Sequence, residues 1–159
     1  MCSIDSTANA TYLYKYRDTH YEYDKVNGFR LITEIHERIK IYNQEGFNHA
    51  TKQIWLYKMS TGSHEKISTI KAQTYNLEKG KIVIEKLSKS GIFETEANKY
   101  NDKIKFTMPN IKPGSVIEYK YKITSPFWSK VDEFVFQHKI PIKKLEASFE
   151  APEYYSFKV

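Results

Sequence analysis

Phe106-Thr107-Met108-Pro109-Asn110-Ile111-Lys112-Pro113-Gly114-Ser115-Val116-Ile117-Glu118-Tyr119-Lys120-Tyr121-Lys122-Ile123-Thr124-Ser125-Pro126-Phe127 is the stretch from which the fold is read. Pro113 fixes the φ that the second position of a turn needs. Gly114 accepts the positive φ of the third position in a type II turn. Beyond the turn, Ile117, Tyr119, Tyr121 and Ile123 fall on one face, and Val116, Glu118, Lys120 and Lys122 on the other. A period of two, with charges on alternate sites, marks a strand packed on one side and wet on the other. Pro109 lacks an amide donor and suits a strand end. The segment therefore reads as a hairpin: a strand over 103–108, the Pro-Gly turn, a strand over 115–124, and a stop at Ser125-Pro126.

The same pattern recurs outward from it. Residues 1–11 read as a loose, polar arm. Tyr12, Tyr14 and Tyr16 alternate with Leu13, Lys15 and Arg17, and Tyr21 and Tyr23 follow the same rhythm, giving two short strands or one bent one. Asn27-Gly28 tolerates positive φ and supplies a turn. Phe29, Leu31, Thr33, Ile35, Ile39 and Ile41 share a face on which Glu37 is the exception; strict alternation favours a strand over a helix here. Asn43-Gln44-Glu45-Gly46 closes that strand as a turn. Further strands are expected over 50–59, 67–75 and 82–84. Glu94, Glu96 and Ala97 make 92–100 the best place for one short helical segment. Alternation resumes over 134–140 and 145–150, and a last strand starts at Tyr155. Turns at strand-length intervals define an all-β fold, an antiparallel β-sandwich spanning 12–159. The sequence stops inside its last strand, which reads as a domain cut short of its next element.

Composition supports one domain and limits the function classes. The chain has 159 residues, 40% hydrophobic and 15% aromatic, an ordinary globular balance rich in strand-favouring side chains. The net charge is +6, but lysines are dispersed along strands instead of clustered, so nucleic acid is not an expected partner. Lysine on a wet strand face also guards against edge pairing. A single cysteine, Cys2, excludes an internal disulfide. No long apolar run predicts a membrane span, and residues 1–10 lack the apolar core of a signal peptide.

No catalytic constellation, metal motif or cofactor motif emerges. The histidines at 20, 36, 49, 64 and 138 form no ligand spacing, and His36-Glu37 and His64-Glu65, being adjacent on strands, point to opposite faces. Cys2 lies in the loose arm with no base held beside it. Glu94 and Glu96 read as a solvated face. The expected catalytic, metal and cofactor sets are empty. Large aromatics remain: Trp55, Tyr57, Phe127, Trp128 and Tyr155 are the candidate contact surface, either between domains or for a glycan or peptide.

Gly28 to Gly46, Lys81 to Phe93, Phe106 to Tyr119, Phe136-Gln137 and Ile140-Pro141 together resemble one bacterial domain of unknown function, the one found ahead of transglutaminase-like domains in exported proteins. The likeness runs from about Tyr12 to Val159. It implies a β-sandwich that is not itself catalytic, with any cysteine-histidine-aspartate machinery in the domain that follows. It implies a downstream transglutaminase-like domain, an envelope protein or a glycan as partner. It also implies a periplasmic or cell-envelope location, with the cytoplasm left open by the missing signal.

Overall fold

The structure, a computed structural model, describes residues 7–153. Its strands are β1 (Ala10–Asp24), β2 (Gly28–Ile41), β3 (Thr51–Tyr57), β4 (Lys66–Ile67), β5 (Lys71–Glu78), β6 (Lys81–Lys86), β7 (Ile92–Asn98), β8 (Asn101–Thr107), β9 (Val116–Ser125) and β10 (Leu145–Glu150). Among the described residues these build two sheets. The larger runs β10-β1-β2-β9-β5-β6, with β4 beside β9; the smaller runs β3-β8-β7. The fold is all-β and does not close into a barrel.

The interior forms between the sheets. Tyr12, Ile39, Ile41, Ala72, Ile117, Tyr119 and Tyr121 of the larger sheet meet Ile54, Leu56, Ile104 and Phe106 of the smaller. Burying each large apolar side chain contributes roughly 1.5–3 kcal/mol before entropy is set against it. The predicted alternation in β9 holds for the inward face, where Ile117 and Tyr119 are fully buried and face this core, but the other face is not simply wet, since Glu118 is buried there. β1 is one strand, and its phase is not the simple one. Tyr12 pairs with Ile39 and Tyr14 with Arg38, so Leu13 is an extra residue in a bulge. The bulge turns Tyr12 and Lys15 inward together and leaves Tyr14 and Tyr16 on the outer face. β1 also begins two residues inside the expected loose arm: Ala10 and Thr11 have no exposed surface.

Several expectations are corrected. The opening stretch is not a hairpin. β8 pairs with β3 and β7, whereas β9 pairs with β2, β4 and β5, so residues 108–115 carry the chain from one sheet to the other. The Pro113-Gly114 turn forms as read, with Gly114 at φ 90 and Ser115 N–H donating to Lys112 O at 3.0 Å. Its other bonds go to β2: Gly114 N–H donates to Ile41 O and Ile41 N–H to Ser115 O, each at 2.9 Å. A turn fixes local direction but does not choose the partner strand, and here the end of β2 captures it. The helical segment expected over 92–100 is β7; short 3-10 turns occupy Gln44–Ala50 and Lys89–Gly91 instead. The strand expected over 134–140 is an irregular strap, whose Phe134 and Phe136 pack edge to face at 4.5 Å. The sheet is not purely antiparallel, because β10 runs parallel to β1. The strand expected from Tyr155 lies outside the described residues.

Candidate functional site

Glu37, the misfit in the apolar face of β2, is the centre of a buried polar cluster. Its side chain is 3% exposed. Lys15 Nζ from β1 donates to Oε1 at 2.7 Å, Lys52 Nζ from β3 lies 3.3 Å from Oε2, and the Tyr119 hydroxyl of β9 donates to Oε2. Lys52 comes from the smaller sheet, so the carboxylate ties the two layers together. Burial pushes the Glu37 carboxyl up, but the charges of Lys52 and Lys15 and the bonds from Lys15 and Tyr119 outweigh it and hold it below its ordinary value. Burial and then the Glu37 charge push the Tyr119 hydroxyl well up, so it stays a neutral donor. Aromatic rings wrap the cations. Lys15 Nζ sits 4.9 Å from the Tyr12 ring centre and Lys52 Nζ 5.3 Å from that of Tyr119. His138 of the strap tilts onto Tyr12 at 5.3 Å.

A second carboxylate, Glu118, is buried on the opposite face of the larger sheet. His36 Nε2 lies 2.6 Å from Oε1, Arg38 Nη2 donates to the same oxygen at 2.9 Å, and the Tyr75 hydroxyl donates to Oε2 at 2.6 Å. Burial raises this carboxyl, and the bonds from Tyr75, His36 and Arg38 outweigh it, holding it down to about 2. Burial lowers His36 despite Glu118, so the neutral ring donates through Nε2. His36 and Glu37 do face opposite ways, as their adjacency requires. In both clusters the carboxylate oxygens are taken up by neighbours, which suits joining strands. Sequence spacing could not show either cluster, since their members come from three or four strands; the one signal was the charged residue in the apolar face of β2.

The candidate contact residues within the described range lie on β3 and on the segment that follows β9. Tyr57, at the end of β3, meets Phe127 edge to face at 4.9 Å, and Lys130 Nζ stands 4.0 Å from the Tyr57 ring centre. Trp128, 43% exposed, is the neighbour of Phe127, and its carbonyl accepts the Tyr21 hydroxyl at 2.8 Å. Trp55 lies two residues before Tyr57 on β3 and therefore on the same face of that strand. It stands 54% exposed on the outer face of the smaller sheet, beside Lys103 at 5.8 Å and on the side that carries Phe93. Tyr155 lies outside the described residues. The patch is positioned by Arg17 of β1, which grips the strap. Its guanidinium donates to Glu133 O and Asp132 O, both at 3.0 Å, and lies 5.4 Å from the Phe134 ring centre. Of the weighed carboxylates, Glu96 pairs with Lys58 at 3.3 Å on an exposed strand. Among the described residues no helix is long and apolar enough to cross a membrane.

The domain is thus a two-sheet β fold in which Glu37 and Glu118 link strands, and Tyr57 meets Phe127 where the end of β3 reaches the segment after β9. The family DUF3857, described as a domain of unknown function with a solved structure, matches residues 29–159, and the chain belongs to that family. No curated protein matches it. A crystal structure described as a "putative protease" from Parabacteroides distasonis ATCC 8503 shares the fold at a TM-score of 0.55 and 14% identity, covering 74% of this chain. The chain spans 23% of that protein's length.

Proposed function

We propose that this domain is a non-catalytic accessory module, which positions a neighbouring domain of transglutaminase-like or peptidase type or docks it to an envelope partner. The observation that carries the reading is the Tyr57–Phe127–Trp128 patch: half-buried Tyr57 of β3 packs on Phe127, and exposed Trp128 follows on the segment that Arg17 and Tyr21 tie to β1. Aromatic side chains fixed in this way are what moderately sized, partly polar contacts between domains use. The structural neighbour, in which such a domain occupies a quarter or less of the chain, supports the same reading.

A second reading rests on Trp55 and Phe93, which flank Lys103 and Lys105 on the outer face of the smaller sheet and would suit a glycan or peptide. Variants with one tryptophan separate the two. With Trp55→Phe, the accessory reading expects Trp128 emission to shift to the blue in the full product of the gene relative to residues 1–159. With Trp128→Phe, the second reading expects Trp55 to respond to cell-wall glycans or peptides. Unchanged Trp128 emission overturns the first, and a flat Trp55 titration the second.

A further inference from the structure

β6 is an edge strand made of Lys81-Ile82-Val83-Ile84-Glu85-Lys86, and all of it is exposed. Leu77 and Ile82 pair within the β5–β6 hairpin, and Ile84 lies on the same face; they are 74%, 69% and 53% exposed. A flat apolar edge of β-branched residues is the sort of surface that adds another strand. The lysines of this edge, Lys81 and Lys86, stand at the strand's ends and leave Ile82-Val83-Ile84 between them.

The backbone fixes how a strand would add. Leu87 N–H donates to Ala72 O at 2.9 Å, and Glu78 faces Lys81 across the Lys79-Gly80 turn, whose φ values of 48 and 77 suit a two-residue hairpin. Odd-numbered residues of β6 therefore bond to β5. Ile82, Ile84 and Lys86 present their amides and carbonyls outward. An antiparallel copy of β6 must then match even residues to even residues. With Ile82 opposite Ile84 of the second copy, four backbone bonds form about a two-fold axis at Val83. The same register sets Lys81 against Glu85 of the second copy, twice, at the closely spaced positions of the ladder. Sliding by two residues breaks both pairs: in one direction Lys81 faces Val83 and in the other Glu85 does. Neither Lys81 nor Glu85 has an ion-pair partner among the described residues. Glu78, opposite Lys81 in its own hairpin, is held by Lys112 at 2.5 Å.

We propose that β6 is a self-association edge, at which two copies of this chain join their larger sheets into one continuous sheet through the Lys81–Glu85 pairs. The apolar stripes of Leu77, Ile82 and Ile84 merge on one face of that dimer. Such an interface is isologous, so both copies present the same strand.

Charge reversal tests it by sedimentation velocity on the full chain across the micromolar range. Lys81→Glu and Glu85→Lys each place like charges opposite one another twice, and each alone should weaken self-association about tenfold or more. An equimolar mixture of the two variants regenerates both pairs in a heterodimer and should associate like wild type. The double exchange in one chain should also restore the dimer. Circular dichroism checks that every variant keeps its strands. A wild-type chain that stays monomeric overturns the proposal. So does a mixture that associates no more tightly than its components, or a double exchange that behaves like the single ones.

Discussion

Replacing Glu37 by Gln removes one charge from the middle of the sandwich and almost nothing else. Two lysines then face each other across the interface with no counterion, and Lys15 is itself buried. At an effective dielectric of about 20, Coulomb's law gives each lysine an attraction on the order of 5 kcal/mol at these separations. Desolvation of the three charges takes most of that back in the wild type. The variant keeps the desolvation and loses the attraction, so the expected cost is about 3 kcal/mol, within the range of buried pairs broken on one side. Urea unfolding followed by tryptophan emission reads it as a midpoint lowered by about 1.5 M, for a slope of about 2 kcal/mol per molar. The triple variant Lys15→Met, Glu37→Leu, Tyr119→Phe removes the buried part of the cluster while keeping its volume, and leaves Lys52, whose side chain is 27% exposed, to turn to solvent. It should unfold within about 1 kcal/mol of wild type, since apolar packing commonly replaces buried ions without loss. A Glu37→Gln protein with an unchanged midpoint, or a triple variant weaker than the single one, refutes this account of how the layers are joined.

Glu118 makes a pH-dependent contribution of known sign. Its folded-state value is depressed to about 2 from an ordinary 4.5, so its stabilisation is fully present above about pH 4.5 and is lost as pH falls toward 2. Acid titration of Glu118→Gln should show lower stability at neutral pH and a flatter decline across that window; a decline as steep as wild type contradicts it. Arg17→Met keeps the packing stem but loses two charge-assisted bonds to the strap, and should cost about 2 kcal/mol. Limited proteolysis of that variant should cut within residues 126–144 while β2 and β9 remain intact; cleavage at the wild-type rate would show that Arg17 does not hold the strap.

Much of the fold was legible because side-chain direction in a strand follows from position alone. The inward set Ile117, Tyr119 and Tyr121 and the turn at Gly114 were read correctly from that rule. Pairing was not legible. Pro113-Gly114 looks the same whether it joins two strands of one sheet or two sheets, and the bonds from Ile41 decide between them. The bulge at Leu13 adds one residue without a glycine or proline to announce it, and it alone moves Lys15 to the side of Glu37. Phe134 and Phe136 alternate as a strand would, but pack edge to face on each other, with Phe134 against Arg17. Of the candidate site, the Tyr57–Phe127 contact joins residues 70 apart in sequence and was not legible, whereas Trp55 and Tyr57 share a face of β3 by position alone.

The proposed accessory role requires the aromatic patch to be covered when a further domain is present. Hydrogen–deuterium exchange of the full gene product, compared with residues 1–159 alone, measures this peptide by peptide. Slower exchange is expected at 55–59 and across 126–131, with no change in the core amides of β2 and β9. Equal exchange at both patch segments in the two proteins would contradict the account.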